Sequence, residues 1–205
     1  MIKNIIFDVG KVLMSYEPEK YMENLGFTKQ EIEAVNKAMF QHPFWNESDR
    51  GSLSSQELLE GFISHAPAYE EQIRRAYETV GETMALLPHT VDWVRKMKER
   101  GYRLYILSNY AERTFEQTRD QMEFLKFMDG AVFSFQCRLI KPEEEIYRYL
   151  CSRYELTPEE SIFLDDRPEN VEVARKCGIH GIVFENFEQA SLQLEEELKM
   201  NDTVR

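Results

Sequence analysis

Five short apolar runs recur along this chain, at Asn4 to Val9, Arg103 to Leu107, Gly130 to Phe135, Ser161 to Leu164 and Gly181 to Phe184, with helical stretches between them. Strand-length segments that alternate with helices need crossover connections, and crossovers lay strands parallel with helices on both faces of the sheet. Uninterrupted runs such as IIF, LYIL and IFL suit strands covered on both sides, which have no polar face to show. The expected fold class is therefore α/β, a Rossmann-like parallel sheet with helices on both faces.

Helix punctuation agrees with that expectation. Pro88 can open a helix that closes in the basic turn KMKERG at Gly101, and Gly178 ends the helix running through VEVARKC. Thr157, Pro158 and Glu160 read as an N-cap, a first-turn proline and a capping-box acid. Between Tyr16 and Leu87 the pattern changes: strand-like runs vanish and helical periodicity repeats through YMENL, EIEAVNKAMF, SQELLEGF and IRRAYETV. This stretch, residues 16–87, is expected to be an inserted all-helical cap, with Ser52 or Ser54 capping one of its helices, and residues 1–15 and 88–205 to form the α/β core. The tail reads as an amphipathic helix from Phe187 to Met200, followed by a frayed end over Asn201 to Arg205.

A chain of 205 residues with 42% hydrophobic content can bury one core plus a smaller lobe. Its formal net charge of -12 opposes any sequence-independent grip on nucleic acid, so an anionic ligand must be drawn in by a local positive site. The apolar run before Asp8 is too brief for a signal peptide or a membrane span. Cys137, Cys151 and Cys177 are widely spaced with no CxxC pair, favouring neither a disulfide framework nor a zinc site. The expectation is a cytoplasmic protein with no nucleic-acid or membrane partner.

Four fragments carry the chemistry: Asp8 after the first apolar run, Ser108-Asn109 after the second, Lys141 before Pro142, and Asp165-Asp166 after the run IFL. In open parallel sheets, ligands collect beyond the carboxyl ends of the strands, so polar residues there are placed to act on them. Taken singly each has an ordinary reading. A strand-end aspartate or a Ser-Asn pair commonly caps a helix, Asn170 can do the same, and a lysine before a helix is usually solvated. Taken together they supply a carboxylate nucleophile, a hydroxyl and an amide for an oxyanion, a fixed positive charge and a hard-cation site. That set is what phosphoryl transfer through an aspartyl-phosphate requires. Adjacent Asp165 and Asp166 repel one another unless a cation compensates, which suits Mg²⁺, and in extended backbone only one of them is expected to touch the metal.

FDVGKVL, LSN, IKP and FLDDRPEN, in this order, resemble the four motifs of the haloacid dehalogenase-like hydrolase superfamily, and residues 16–87 match the position of its helical cap. The resemblance implies Asp8 as nucleophile, Ser108 and Asn109 as phosphate binders, and Lys141 as the lysine holding nucleophile and phosphate. It also implies Mg²⁺ bound by the Asp8 carboxylate, the Gly10 carbonyl and Asp166, with Asp165 assisting. Most phosphatases of that superfamily carry an aspartate two residues after the nucleophile as general acid and base, where this chain has Gly10. A branch with an FDxGxV pattern is similar and includes phosphatases of sugar phosphates such as glucose 1-phosphate. The implied function is a Mg²⁺-dependent phosphatase of small phosphorylated metabolites. The proton is then expected from water or the substrate, with Lys11 less favoured.

Two other readings stand beside it: a metal-independent 2-haloacid dehalogenase, and a weakly active phosphate-binding regulatory protein. Within the cap, His42, Phe44, Trp45 and Arg50 make the most ligand-like cluster, although each also has an ordinary packing or surface role. His65, His89 and His180 have no partner at metal-ligand spacing.

Overall fold

The computed structural model describes the backbone of residues 1–202, with side chains through residue 199. Asn4–Phe7 (β1), Arg103–Ser108 (β2), Gly130–Phe133 (β3), Ser161–Asp165 (β4) and His180–Val183 (β5) form one parallel sheet in the order β3-β2-β1-β4-β5. Alternate side chains serve opposite faces, as the two-residue period of a strand requires. Ile5, Phe7, Leu104, Ile106, Ile162 and Leu164 enter one apolar cluster; Ile6, Tyr105, Leu107 and Phe163 enter another. The first is closed by Trp93, Val94 and Met97 of Thr90–Glu99 (α6) and by Ala190 and Leu194 of Phe187–Asp202 (α11). The second is closed by Ile146, Tyr147 and Leu150 of Glu144–Tyr154 (α9) and by Ala174 of Pro168–Lys176 (α10). Burying a side chain such as Phe163 on both sides this way stabilises the fold by roughly 1.5–3 kcal/mol.

The segment between β1 and α6 holds Pro18–Asn24 (α1), Lys29–Val35 (α2), Trp45–Arg50 (α3), Ser55–His65 (α4) and Glu70–Glu78 (α5), and no strand among the described residues. A π-helical turn at Asn36–Phe40 follows α2. Capping boxes start α2 (Thr28 with Glu31) and α4 (Ser54 with Glu57), so Ser54 rather than Ser52 is the cap. The five helices pack around their own buried cluster, which includes Met22, Val35, Met39, Phe62, Ile73 and Ala76.

Several local expectations were displaced by tertiary context. Pro158–Glu160 is a single 3₁₀ turn without a side-chain cap, because the residues that follow, Ser161 to Leu164, are drawn into the sheet as β4. Proline at 88 precedes the helix rather than opening it; His89 is the N-cap of α6. The third strand ends at Phe133, where Ser134–Cys137 (α8) turns the chain. Helical backbone continues through Asn201 and Asp202, where fraying was expected; residues 203–205 lie outside the described residues. Gly178 does end α10, at a positive φ of 86°. Among the described residues no helix is long and apolar enough to cross a membrane.

Candidate active site

Strand order decides which side chains meet. Phe7 pairs with Ile106 of β2 and Leu164 of β4, so the residues following these three central strands emerge side by side, at the roughly 4.8 Å spacing of neighbouring strands. Asp8 leaves β1 there, its N–H still bonded to the Leu164 carbonyl at 2.9 Å. Its Oδ1 accepts from the Val9 N–H at 2.7 Å and stands 2.9 Å from Lys141 Nζ, which fixes the rotation of the carboxylate. Ser108, buried at the end of β2, lies beside Asp8 and favours its ionised form.

Lys141 is only 2% exposed and far from the solvated lysine that its position before a helix suggests in isolation. Its ammonium bridges Asp8 and Asp165, 2.6 Å from Asp165 Oδ2. Asp165 is saturated: Oδ1 accepts from the Arg167 N–H at 2.8 Å, and Asn170 Nδ2 lies 2.9 Å and 3.0 Å from its two oxygens. Asn109 clasps the lysine's main chain, donating from Nδ2 to the Lys141 carbonyl at 2.9 Å and accepting the Lys141 N–H at 2.7 Å. The Asn109 side chain therefore holds the main chain of Lys141 in place. Neither Ser108 nor Asn109 caps Glu112–Thr118 (α7), whose N-cap is Ala111, and no side chain caps α10.

Asp166 Oδ2 lies 3.5 Å from the mostly exposed Lys11 Nζ. One ligand oxygen from each of Asp8, Asp165 and Asp166 falls within 4.8 Å of the others. Three carboxylates thus share one buried ammonium, and titration reflects the imbalance. Burial, offset by Lys141 and reinforced by Asp165, pushes the Asp8 carboxyl up to about 6. Burial and then Asp165 raise Asp166 as well. Burial works against the charge on Lys141, but Asp165 and Asp8 outweigh it and hold the amine above the usual lysine value.

A cavity of about 360 Å³ opens over these groups, floored by Asp8, Gly10, Asn109, Lys141 and Asp166. The helical segment supplies other parts of its lining, including Phe40, Trp45 and Asp49, with Tyr16 at the junction. Of the four residues in the ligand-like cluster, Trp45 lines the cavity, and Arg50 pairs with Glu143 through Nη2 at 2.5 Å. The other two pack within the segment: the His42 ring stacks on His65 at 3.7 Å, and Phe44 meets Phe62 edge-on.

Sequence reasoning missed Asp49, the acidic group of the helical segment that faces the cavity. Burial, opposed by Lys141 and helped by Asp8, lifts its carboxyl to about 7. A signal existed two residues later. Gly51 has a φ of 65°, and a Cβ there would sit 2.9 Å from the Phe135 carbonyl oxygen, so glycine marks where this turn meets the sheet domain.

The haloacid dehalogenase-like hydrolase family model matches residues 2–178. A sesquiterpene phosphatase of Aspergillus oryzae is 22% identical over 88% of this chain and 88% of its own length. A D-ribitol-5-phosphate phosphatase of Bacteroides thetaiotaomicron is 23% identical over 92% of each chain. A Bacteroides thetaiotaomicron enzyme of the same superfamily, solved with magnesium and inorganic phosphate, superposes with a TM-score of 0.72 at 21% identity, covering 93% of this chain and 99% of its own. With the parallel sheet and the strand-end carboxylates already in place, the match fixes the family: the chain is a haloacid dehalogenase-like hydrolase.

Proposed function

We propose that this hydrolase is a Mg²⁺-dependent phosphatase of small phosphorylated metabolites, working through an aspartyl-phosphate on Asp8. The observation that carries the reading is the buried Lys141 bridging Asp8 and Asp165 at the floor of a cavity that a third carboxylate, Asp166, also lines. Uncompensated negative charge there fits a divalent cation, and Asn170 Oδ1 and Thr114 Oγ1, both buried in cavity-lining residues, have no hydrogen-bond partner among the described residues. The Asp8 carboxylate, the Gly10 carbonyl and Asp166 would hold the ion, with Asp165 steadying the site from beneath. Bound there, it would offset charge on the phosphoryl oxygens and on the nucleophile.

The chain's own groups do the rest. Asp8, its rotation fixed by Val9 and Lys141, attacks phosphorus; Lys141 neutralises charge on nucleophile and phosphoryl group; Asn109 keeps that lysine in register; Ser108 favours the ionised carboxylate. Water then attacks the aspartyl-phosphate and frees phosphate. Residues 16–87 act as a cap whose aromatic lining excludes bulk water and receives the organic part of the substrate. A cavity of about 360 Å³ accommodates a phosphate and a modest organic group, in keeping with the small phosphorylated substrates named for two of the relatives. A 2-haloacid is disfavoured by charge, since its carboxylate would face Asp8, Asp165 and Asp166 without a metal to balance them.

The test is phosphate release across a panel of sugar and alkyl phosphates with Mg²⁺ and with chelator. Asp8→Asn should lower turnover by on the order of 10⁴ or more while the melting temperature is held. Halide release from 2-chloropropionate that survives chelation, with no phosphate released from the panel, would sink the reading.

A further inference from the structure

Breaking a phosphate monoester of an ordinary alcohol expels an alkoxide, and an alkoxide needs a proton as it leaves. Gly10, two residues after the nucleophile, brings no side chain to do this. An added Cβ at Gly10 would meet only Met84 Cε, at 3.9 Å, so the space beside Asp8 is open. The helical segment presents a carboxyl to the same cavity.

Asp49 lies in the last turn of α3, and three contacts hold that turn against the sheet domain. Its carbonyl accepts from Ser134 Oγ at 2.5 Å, the neighbouring Arg50 pairs with Glu143 and donates to the Arg138 carbonyl at 3.2 Å, and Gly51 lies against Phe135. The carboxyl lies beside the Trp45 side chain of its own helix and outside the three-carboxylate cluster. Facing it are Asp8 after β1, Tyr16 at the start of the segment, Lys141 before α9 and Arg167 before α10.

We propose that Asp49 is the general acid and base of this enzyme, delivered from the helical segment in place of the side chain that Gly10 lacks. The inference rests on the phosphatase reading above. As Asp8 forms its bond to phosphorus, the bond to the leaving oxygen breaks, its electron pair stays on that oxygen, and the Asp49 carboxyl protonates it to release the alcohol. The resulting Asp49 carboxylate then removes a proton from water as the water oxygen bonds to phosphorus. The phosphorus–Asp8 bond breaks with its electrons returning to the Asp8 carboxylate, phosphate departs, and Asp49 is again protonated. A carboxyl lifted to about 7 by burial is suited to both halves of this cycle near neutral pH.

The experiment uses the Mg²⁺-loaded enzyme with two probes: 2,4-dinitrophenyl phosphate, whose leaving group needs no proton, and the best alkyl phosphate in a panel. Asp49→Asn is expected to cut alkyl phosphate turnover by about 10²–10⁴ without a burst. With the dinitrophenyl ester the same variant should release close to one equivalent of phenolate rapidly and then stall, because only dephosphorylation lacks its base. The burst itself reports a folded, competent site. Adding Gly10→Asp to Asp49→Asn should restore alkyl phosphate turnover at least about tenfold, since the introduced carboxyl enters the open space beside Asp8. Unchanged turnover in Asp49→Asn, equal loss on both probes without a burst, or a wild type that cleaves only the dinitrophenyl ester would overturn the assignment to Asp49. A wild type with no Asp8-dependent phosphate release from either probe would instead overturn the phosphatase reading.

Discussion

The sheet edge and the helical segment meet at one cavity but are built on opposite rules. At the sheet edge the polar groups are tied to one another: Asp8, Lys141, Asp165, Asn109 and Asn170 form one connected network, and Lys141 and Asp165 are almost wholly buried. The helical segment offers aromatic surface, with the Phe40 and Trp45 ring centroids 5.2 Å apart, and one carboxyl, Asp49, facing the cavity. The contrast separates two jobs. On the proposed reading, Asp8 and Lys141 stand at the sheet edge with their rotation fixed by neighbours, while the helical segment supplies the proton-transfer carboxyl and the aromatic surface that receives the organic part of the substrate.

The sharpest way to break this comparison is at Lys141. Lys141→Met leaves two close carboxylates without their shared ammonium; activity should fall at least about 10³-fold, and stability by about 3–5 kcal/mol, reduced where a carboxyl takes up a proton instead. Denaturant unfolding and phosphate release measure the two losses; a variant as stable as the wild type at pH 8 would contradict the network. Trp45→Ala should change much less and differently, raising KM about tenfold for substrates with an apolar group while kcat is mostly kept. An equal effect on every substrate would remove Trp45 from selection.

Asp49 gives a pH test. Its carboxyl titrates near 7 in the folded protein against an ordinary value of 3.8, so protonation is favoured by folding. The stability that follows is fully present below about pH 4 and is lost as pH rises through 7. Asp49→Asn should therefore match the wild type in acid and exceed it at pH 8, read from melting curves across that range. The smallest effect is expected at the partly exposed Arg50–Glu143 pair. Arg50→Met should cost no more than about 1 kcal/mol in unfolding. A far larger loss would make this contact part of the folding core rather than a link between the two regions.

Much of the sheet edge was legible in the sequence, because strand ends are. The run NIIF followed by Asp8, and SIFL followed by Asp165 and Asp166, place carboxylates where a parallel sheet presents its ligands. What escaped was the division of labour among them. Nothing in LSN says that Asn109 clasps the main chain of residue 141, nor does IKP say that Lys141 reaches Asp165 as well as Asp8. Those are distances between strands, and they depend on register. Asp49 was harder, since an acid on a short polar helix reads as surface. The contacts that turn that helix toward the cavity, Ser134 to the Asp49 carbonyl, Arg50 to Glu143 and Gly51 against Phe135, are set by tertiary packing.

The strand order β3-β2-β1-β4-β5 has a consequence for the newborn polypeptide. Asp8 is made long before Lys141, which pairs with it, and Asp165, which anchors that lysine. A chain still on the ribosome carries the Asp8 carboxylate without the ammonium that pairs with it and without the aspartate that anchors that ammonium. A fragment that stops short of position 165 therefore lacks the charge balance around Asp8 that the proposed chemistry uses, however well its helices form.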